Sequence, residues 1–155
     1  MSKSLKRVAA ALEAAGLGSE IIEMPGETRT AGQAAAAGCA LDQIVKSIIF
    51  RGEATGHVVL FLTAGGNRVS AAKASAVAGQ PLGKADADLI RAETGFAIGG
   101  VAPIGHLTPI RSWFDPRLLD FDMVWGAAGT PRHIFPVDPR ALLQATGAEL
   151  ADFTE

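Results

Sequence analysis

The sequence predicts an α/β fold: one domain over residues 1–155, with a mixed sheet surrounded by helices. Three observations carry that expectation. β-rich runs, such as Ile44 to Arg51 and His57 to Thr63, are mixed with stretches of helical periodicity. The two kinds of segment do not alternate strictly, as a purely parallel α/β sheet would require. Finally, 155 residues with 48% hydrophobic and 19% charged content are enough to bury one core, with the composition of a globular domain.

In chain order, Leu5, Val8, Ala9, Leu12 and Ala15 recur at helical spacing, and Gly16 stands where that helix should end. Lys3, Lys6 and Arg7 near its start read as a solvated face, with a role in gripping RNA as the alternative. Ile21 to Met24 is a short strand closed by Pro25-Gly26. Thr28 or Thr30 then caps a helix from Ala31 to Ala37 that stops at Gly38. The two long β runs flank Gly52-Glu53-Ala54-Thr55-Gly56, a hairpin signature. Ser70 opens an alanine-rich helix ending near Gly79, and Gln80 to Gly83 connects it to a helix from Asp86 to Glu93 followed by Gly95. Gly95 to Ile98 and Ile110 to Phe114 read as short strands. Asp115-Pro116-Arg117 is a turn, Met123 to Ala128 a strand and His133 to Phe135 another. Pro139 stands at the first position of a last helix, with Gly147 after its end.

Composition removes several function classes. A net charge of −2 argues against broad coating of nucleic acid, although a small contact with an RNA end is compatible with it. No apolar run approaches a membrane span, and Met1 to Arg7 lacks the apolar core of a signal peptide. The single cysteine, Cys39, allows no internal disulfide and reads as a small buried hydrophobe; a cytoplasmic location is expected. No zinc-pair spacing, G-x-S-x-G elbow, P-loop or dinucleotide fingerprint occurs, so no metal and no cofactor is expected.

Two features carry possible chemistry. Gly99-Gly100-Val101-Ala102-Pro103-Ile104-Gly105-His106 is a shaped loop whose glycines leave backbone N–H groups uncovered, able to hold an anion or a developing oxyanion. A tight turn without chemistry is the plainer alternative. In the strand before it, Ile44, Lys46, Ile48 and Phe50 share one face. A lysine amid an apolar face is costly unless its ammonium finds a partner or water. Snorkelling to the sheet edge and binding an anionic ligand group both satisfy it. His57 reads as a surface residue, while His106 and His133 stand where a pocket rim can form.

The runs Leu41 to Phe50, Gly99 to His106 and Ala128-Gly129-Thr130-Pro131 resemble the YbaK/ProX family, the free-standing relatives of the editing domain inserted in bacterial prolyl-tRNA synthetases. The resemblance extends from about Glu27 to Gly147. It implies a trans-editing aminoacyl-tRNA deacylase, a curved mixed sheet and no metal. The partner implied is the acceptor 3′ end of aminoacyl-tRNA, with a synthetase as a second partner to test. Lys46 matches the family's strand lysine, and Gly99 and Pro103 match the ends of its G-x-x-x-P loop. The catalytic candidates are therefore Lys46, Gly99 and Gly100. Substrate-binding candidates are Thr30, Ser47, Ile48, Val101, Ala102, Pro103, Ile104, Gly105, His106, Gly129, Thr130 and His133. Ser47 stands where relatives carry asparagine or threonine, so it bears on which amino acid is removed; His133 is carried as a rim residue. Small, apolar loop side chains point to a small substrate, with alanine, serine or threonine first and cysteine next. A non-catalytic module binding a tRNA end or a synthetase, and a hydrolase of small aminoacyl esters, stand as alternatives.

Overall fold

The computed structural model describes residues 2–18, 20–27, 31–35 and 38–155. Helix α1 (Lys3–Ala14) buries Leu5, Val8 and Leu12, one apolar stripe at helical spacing, and the Ser2 hydroxyl accepts the N–H of Leu5 at 3.1 Å to cap its start. Strand β1 (Ile22–Glu23) and helix α2 (Ala31–Ala35) follow. The expected caps Thr28 and Thr30, and the expected helical residues Ala36 and Ala37, lie outside the described residues.

A 3-10 turn (Leu41–Gln43) leads into β2 (Val45–Gly52), which forms an antiparallel hairpin with β3 (Val58–Ala64) in the register Val45↔Ala64 to Arg51↔Val58. The turn is closed by Gly52 N–H to His57 O at 2.9 Å. Every residue of β3 is buried, as a central strand covered on both faces requires. Helix α3 (Ala71–Ala78) runs between the Ser70 cap and Gly79, and α4 (Ala87–Thr94) between the Asp86 cap and Gly95. Between them, the segment expected only to connect contains β4 (Leu82–Lys84), which extends the sheet along β2. Strand β5 (Ser112–Phe114) lies parallel to β3. The Asp115–Pro116 turn continues as a 3-10 helix over Pro116–Asp120. Strands β6 (Val124–Ala127) and β7 (His133–Val137) form a second hairpin. Helix α5 (Pro139–Thr146), with Asp138 as its cap, and β8 (Glu149–Leu150), parallel to β5, complete the chain.

The α/β class holds, with the sheet split in two. The five-stranded mixed sheet has the order β4-β2-β3-β5-β8 and the three-stranded antiparallel sheet the order β1-β7-β6. A parallel bridge, Ile44↔Trp125, joins them just before β2 begins. The faces of the larger sheet bury separate cores. One takes Leu60, Leu62 and Phe114 together with α1 and much of the β6–β7 hairpin. The other takes Val59, Phe61, Ala74, Trp113 and Phe153, with Phe61 stacked on Trp113 at 4.9 Å.

The strand expected at Gly95 to Ile98 does not form. Gly95 is the left-handed cap of α4 (φ 81°), a role that turns the chain out of helical course at once. The Phe96 ring is completely buried, and its N–H is taken by the Thr94 hydroxyl at 3.0 Å, so no ladder can begin there.

Candidate functional site

The glycine-rich loop is held from two sides. Arg7 of α1 donates from Nε to Gly105 O at 2.9 Å and from Nη2 to Gly95 O at 2.6 Å, with its guanidinium 4.6 Å from the centre of the Phe96 ring. On the other side, a Cβ built on Gly100 would come within 2.9 Å of the Thr130 carbonyl carbon, so only glycine lets the loop lie this close to the β6–β7 turn. Pro103 approaches the same hairpin at Gly126. Val101, Ala102 and Ile104 are buried, and they belong to the main core. Ile104 also borders a cleft on the far side of the loop.

That backbone is uneven in what it offers. The Gly100 N–H donates to Ala97 O at 3.1 Å and closes a turn. Among the described residues, no acceptor meets the N–H of Gly99, Val101 or Ala102. Of these, the N–H of Gly99, part-exposed at φ 91°, can meet a partial negative charge, with Val101 beside it; Ala102 is completely buried. The Gly100 N–H is thus already engaged, and its missing side chain makes the close approach to Thr130 possible.

His106 is turned inward. Its Nε2–H donates to Ala102 O at 2.8 Å and its ring meets Phe96 edge-on. Burial pushes its pKa below the usual histidine value; the Ala102 bond opposes that shift and the nearby Arg7 charge adds to it. A neutral, hydrogen-bonded ring braces the loop. Pro103 to His106 also border a cleft of about 410 Å³ that reaches Ser112 and Ala145; neither Lys46 nor Ser47 lines it.

Lys46 and Ser47 leave β2 on opposite faces, because side chains alternate along a strand. Ser47 lies between Val45 and Ile49 on the face that packs with Val101, Ala102 and Ala128. Its hydroxyl oxygen is buried and has no hydrogen-bond partner. Lys46 shares its face with Ile48 and Phe50, which pack on the second core. Its ammonium donates to Asn67 O at 2.5 Å. Burial and the neighbouring Arg68 lower the lysine pKa, while Asp115 and Asp42 counteract them. Trp125, paired with Ile44 two residues before Lys46, also has a buried, unpartnered donor in its indole Nε1.

At the hairpin turn, Thr130 Oγ1 and His133 Nδ1 are 2.6 Å apart, and His133 Nε2 lies 3.7 Å from Glu23 Oε2. Gly129 (φ 90°) packs this turn onto α1, where a Cβ would meet Ser4 O at 2.9 Å. The structure thus gathers Gly99, Gly100, Gly129, Thr130 and His133 in one corner. Ser47 faces the core beneath the loop, Lys46 and Ile48 leave from the other side of the strand, and Thr30 lies outside the described residues. Arg7, expected on a solvated face, instead turns inward onto the Gly95 and Gly105 carbonyls and the Phe96 ring, while Lys3 and Lys6 are exposed. Trp125, Asn67 and Asp115 were not singled out as site residues; Asp115 before a proline carried the signal of a cap, and the others carried none.

Among the described residues, no group of three or more His, Cys, Asp or Glu side chains could hold a metal ion. No helix among them is long and apolar enough to cross a membrane.

Comparison with known proteins gives this geometry its context. A crystal structure described as that of a candidate trans-editing enzyme for prolyl-tRNA synthetase superposes with a TM-score of 0.91 at 47% identity, covering 100% of this chain and 99% of that one. The hypothetical protein APE2540 matches with a TM-score of 0.87 at 33% identity, over 96% and 99% of the two chains. The uncharacterized protein YwhH of Bacillus subtilis is 29% identical over 125 residues, 80% of this chain and 79% of its own. Residues 25–145, which hold the loop, Lys46 and the hairpin turn, match the model of the aminoacyl-tRNA editing domain, and the chain belongs to that family.

Proposed function

We propose that this protein hydrolyses, in trans, the ester that joins a small mischarged amino acid to the 3′ end of tRNA. The observation that supports this most directly is the unpaired N–H of part-exposed Gly99, with that of Val101 two residues on, in a loop fixed by Arg7 and by the Gly100–Thr130 contact. An ester carbonyl placed against these donors is polarised, and its oxygen is stabilised as it becomes negative. Water adds to the carbonyl carbon, assisted by the vicinal hydroxyl of the terminal ribose. The bond from that carbon to the ribose oxygen breaks, leaving a free amino acid and a ribose hydroxyl. An ester is already activated, so no protein nucleophile is needed.

Lys46 serves the nucleotide side of the substrate. The aminoacyl group and the terminal phosphate are separated by the whole ribose, so the lysine and the loop need not touch. As the second residue of β2, Lys46 can receive the phosphate around the end of the strand. A small aminoacyl group suits the corner, where Gly100 already abuts Thr130; the Ser47 hydroxyl and the Trp125 indole are buried polar groups without a partner. Alanine, serine and threonine are the expected residues, with cysteine next, and a hydrophobic site separates such neighbours poorly.

The test is deacylation of a panel of mischarged tRNAs alongside a short aminoacyl-ester mimic. Turnover of two or more small aminoacyl-tRNAs, with phenylalanyl-tRNA spared, is the expected result. Stable binding without turnover would identify a non-catalytic module, and equal turnover of the mimic would remove RNA from the reaction.

A further inference from the structure

We propose that Asp115 is a positioning residue for Lys46, acting through the turn from Ala64 to Asn67. The inference rests on the reading above, in which Lys46 serves the substrate, and goes beyond it by naming what aims the lysine.

Asp115 is 3% exposed, yet its carboxylate accepts three hydrogen bonds from three elements. Oδ2 takes the N–H of Ala64 at the end of β3 (3.0 Å) and the side-chain amide of Asn67 (2.9 Å). Oδ1 takes the N–H of Arg117 in the 3-10 helix (3.0 Å). The Asn67 N–H returns to Ala64 O at 2.9 Å, so the turn is closed on itself and pinned to the carboxylate. The Lys46 ammonium is anchored on the Asn67 carbonyl of this turn. A bond of that kind fixes direction as well as distance: where the turn moves, the ammonium moves. The side chain of Asp115 thus holds the acceptor to which Lys46 is tied.

The charges facing Lys46 are few. Arg68 follows Asn67 on the turn, Asp42 comes from the 3-10 turn before β2, and Asp115 comes from the cap after β5. Asp42 is engaged elsewhere: Oδ1 accepts the Gly66 N–H at 2.8 Å and Oδ2 accepts Arg117 Nε at 3.0 Å. Asp115 makes no salt bridge among the described residues, so its buried charge acts on the lysine without a cation neutralising it directly.

The experiment follows the Lys46 13Cε chemical shift against pH in the full chain, identified by its loss in Lys46→Arg, and measures kcat/KM for deacylation. Asp115→Asn keeps the shape but removes the charge and turns one acceptor into a donor. The Lys46 titration should move to lower pH, with kcat/KM falling about tenfold. Asn67→Ala keeps the carboxylate and the carbonyl but cuts the link between them. It should lower kcat/KM by a similar factor and alter the Lys46 shift even below its titration. An Asp115→Asn protein that is folded and titrates Lys46 as the parent does would overturn the proposal. If Asp115→Asn does not fold, Asn67→Ala decides, and an unchanged shift and rate would overturn it. If the parent chain shows no deacylation, the functional reading fails while the titration still decides whether Asp115 acts on Lys46.

Discussion

The glycine loop and the lysine corner are held by different physics. The loop is fixed by a glycine against a backbone, a neutral imidazole on a carbonyl, and two carbonyls on a single guanidinium with no carboxylate opposite it. The lysine corner is fixed by ions and by hydrogen bonds to a buried carboxylate, with Arg117 bridging Asp42 and Asp120 at its edge. Packing of the first kind is stiff and indifferent to salt. Interactions of the second kind respond, where exposed, to ionic strength. The arrangement suits the two proposed roles, since an oxyanion needs fixed dipoles and an RNA end meets a charge.

The largest effect should come from breaking the stiff region. In Gly100→Ala the new methyl meets Thr130 backbone atoms at 2.9–3.1 Å, which no side-chain rearrangement can relieve, so the loop must move. Loss of oxyanion donors elsewhere lowers kcat by roughly a hundredfold or more, and a comparable fall is expected here with KM little changed. Single-turnover kinetics separate the two; a change in KM alone would make the loop a device for holding substrate only.

Lys46→Ala comes next. Removing one charge-assisted contact to the substrate should lower kcat/KM by about ten- to a hundredfold. The melting temperature should hardly change, because the side chain is half-buried and makes one hydrogen bond in the free protein. Lys46→Arg should rescue only partly, a planar fork being a poor substitute for a point donor. Unchanged activity would mean that the lysine does no more than reach for the Asn67 carbonyl.

The two regions also differed in how far the sequence revealed them. Lys46 and the glycine loop stood out because each breaks a local pattern: a charge in an apolar strand, and three glycines around a proline. Helix ends were legible for the same local reason, with Ser70, Asp86 and Asp138 as caps and Gly79, Gly95 and Gly147 in left-handed geometry. The residues that hold the site have no such signature. Arg7 reaches Gly105 across 98 positions and Asp115 reaches Asn67 across 48, and no periodicity encodes such a meeting. Strands β4 and β8, three and two residues long, owe their existence to a neighbouring strand rather than to a pattern of their own. Gly95 to Ile98 failed in the opposite sense: an apolar run that looked extended is a helix cap and a bend, with Phe96 buried and Ile98 exposed.

A third test sharpens the contrast through pH. His106 is kept neutral by burial, so its folded-state pKa lies below the unfolded value near 6.5. Its contribution to stability is fully present above that unfolded value and is lost as pH falls toward and through the folded one. Thermal melts between pH 7.5 and 5 should show this loss. In His106→Gln, whose amide can still donate to the Ala102 carbonyl, that part of the pH dependence should disappear. An identical slope in both proteins would place the acid-sensitive group elsewhere.

The smallest effect concerns the residue that lies under the loop rather than in either region. The Ser47 hydroxyl is buried without a partner, an arrangement that costs about 1–3 kcal/mol in a folded protein. Ser47→Ala should therefore leave the protein as stable as before or slightly more stable, against the usual direction for a core substitution. The same change should reduce removal of serine and threonine relative to alanine, because their hydroxyls would lose an unpartnered group able to answer them. A neutral hydrogen bond is worth about 0.5–1.5 kcal/mol net, which limits the change in preference to roughly tenfold. Competition assays with alanyl- and seryl-tRNA in one reaction measure that ratio directly. A stabilised variant with an altered ratio means that the hydroxyl is kept for the substrate at the fold's expense. A stabilised variant with the ratio unchanged means that Ser47 faces only the core, and that the choice among small amino acids is made on the Lys46 side of the strand.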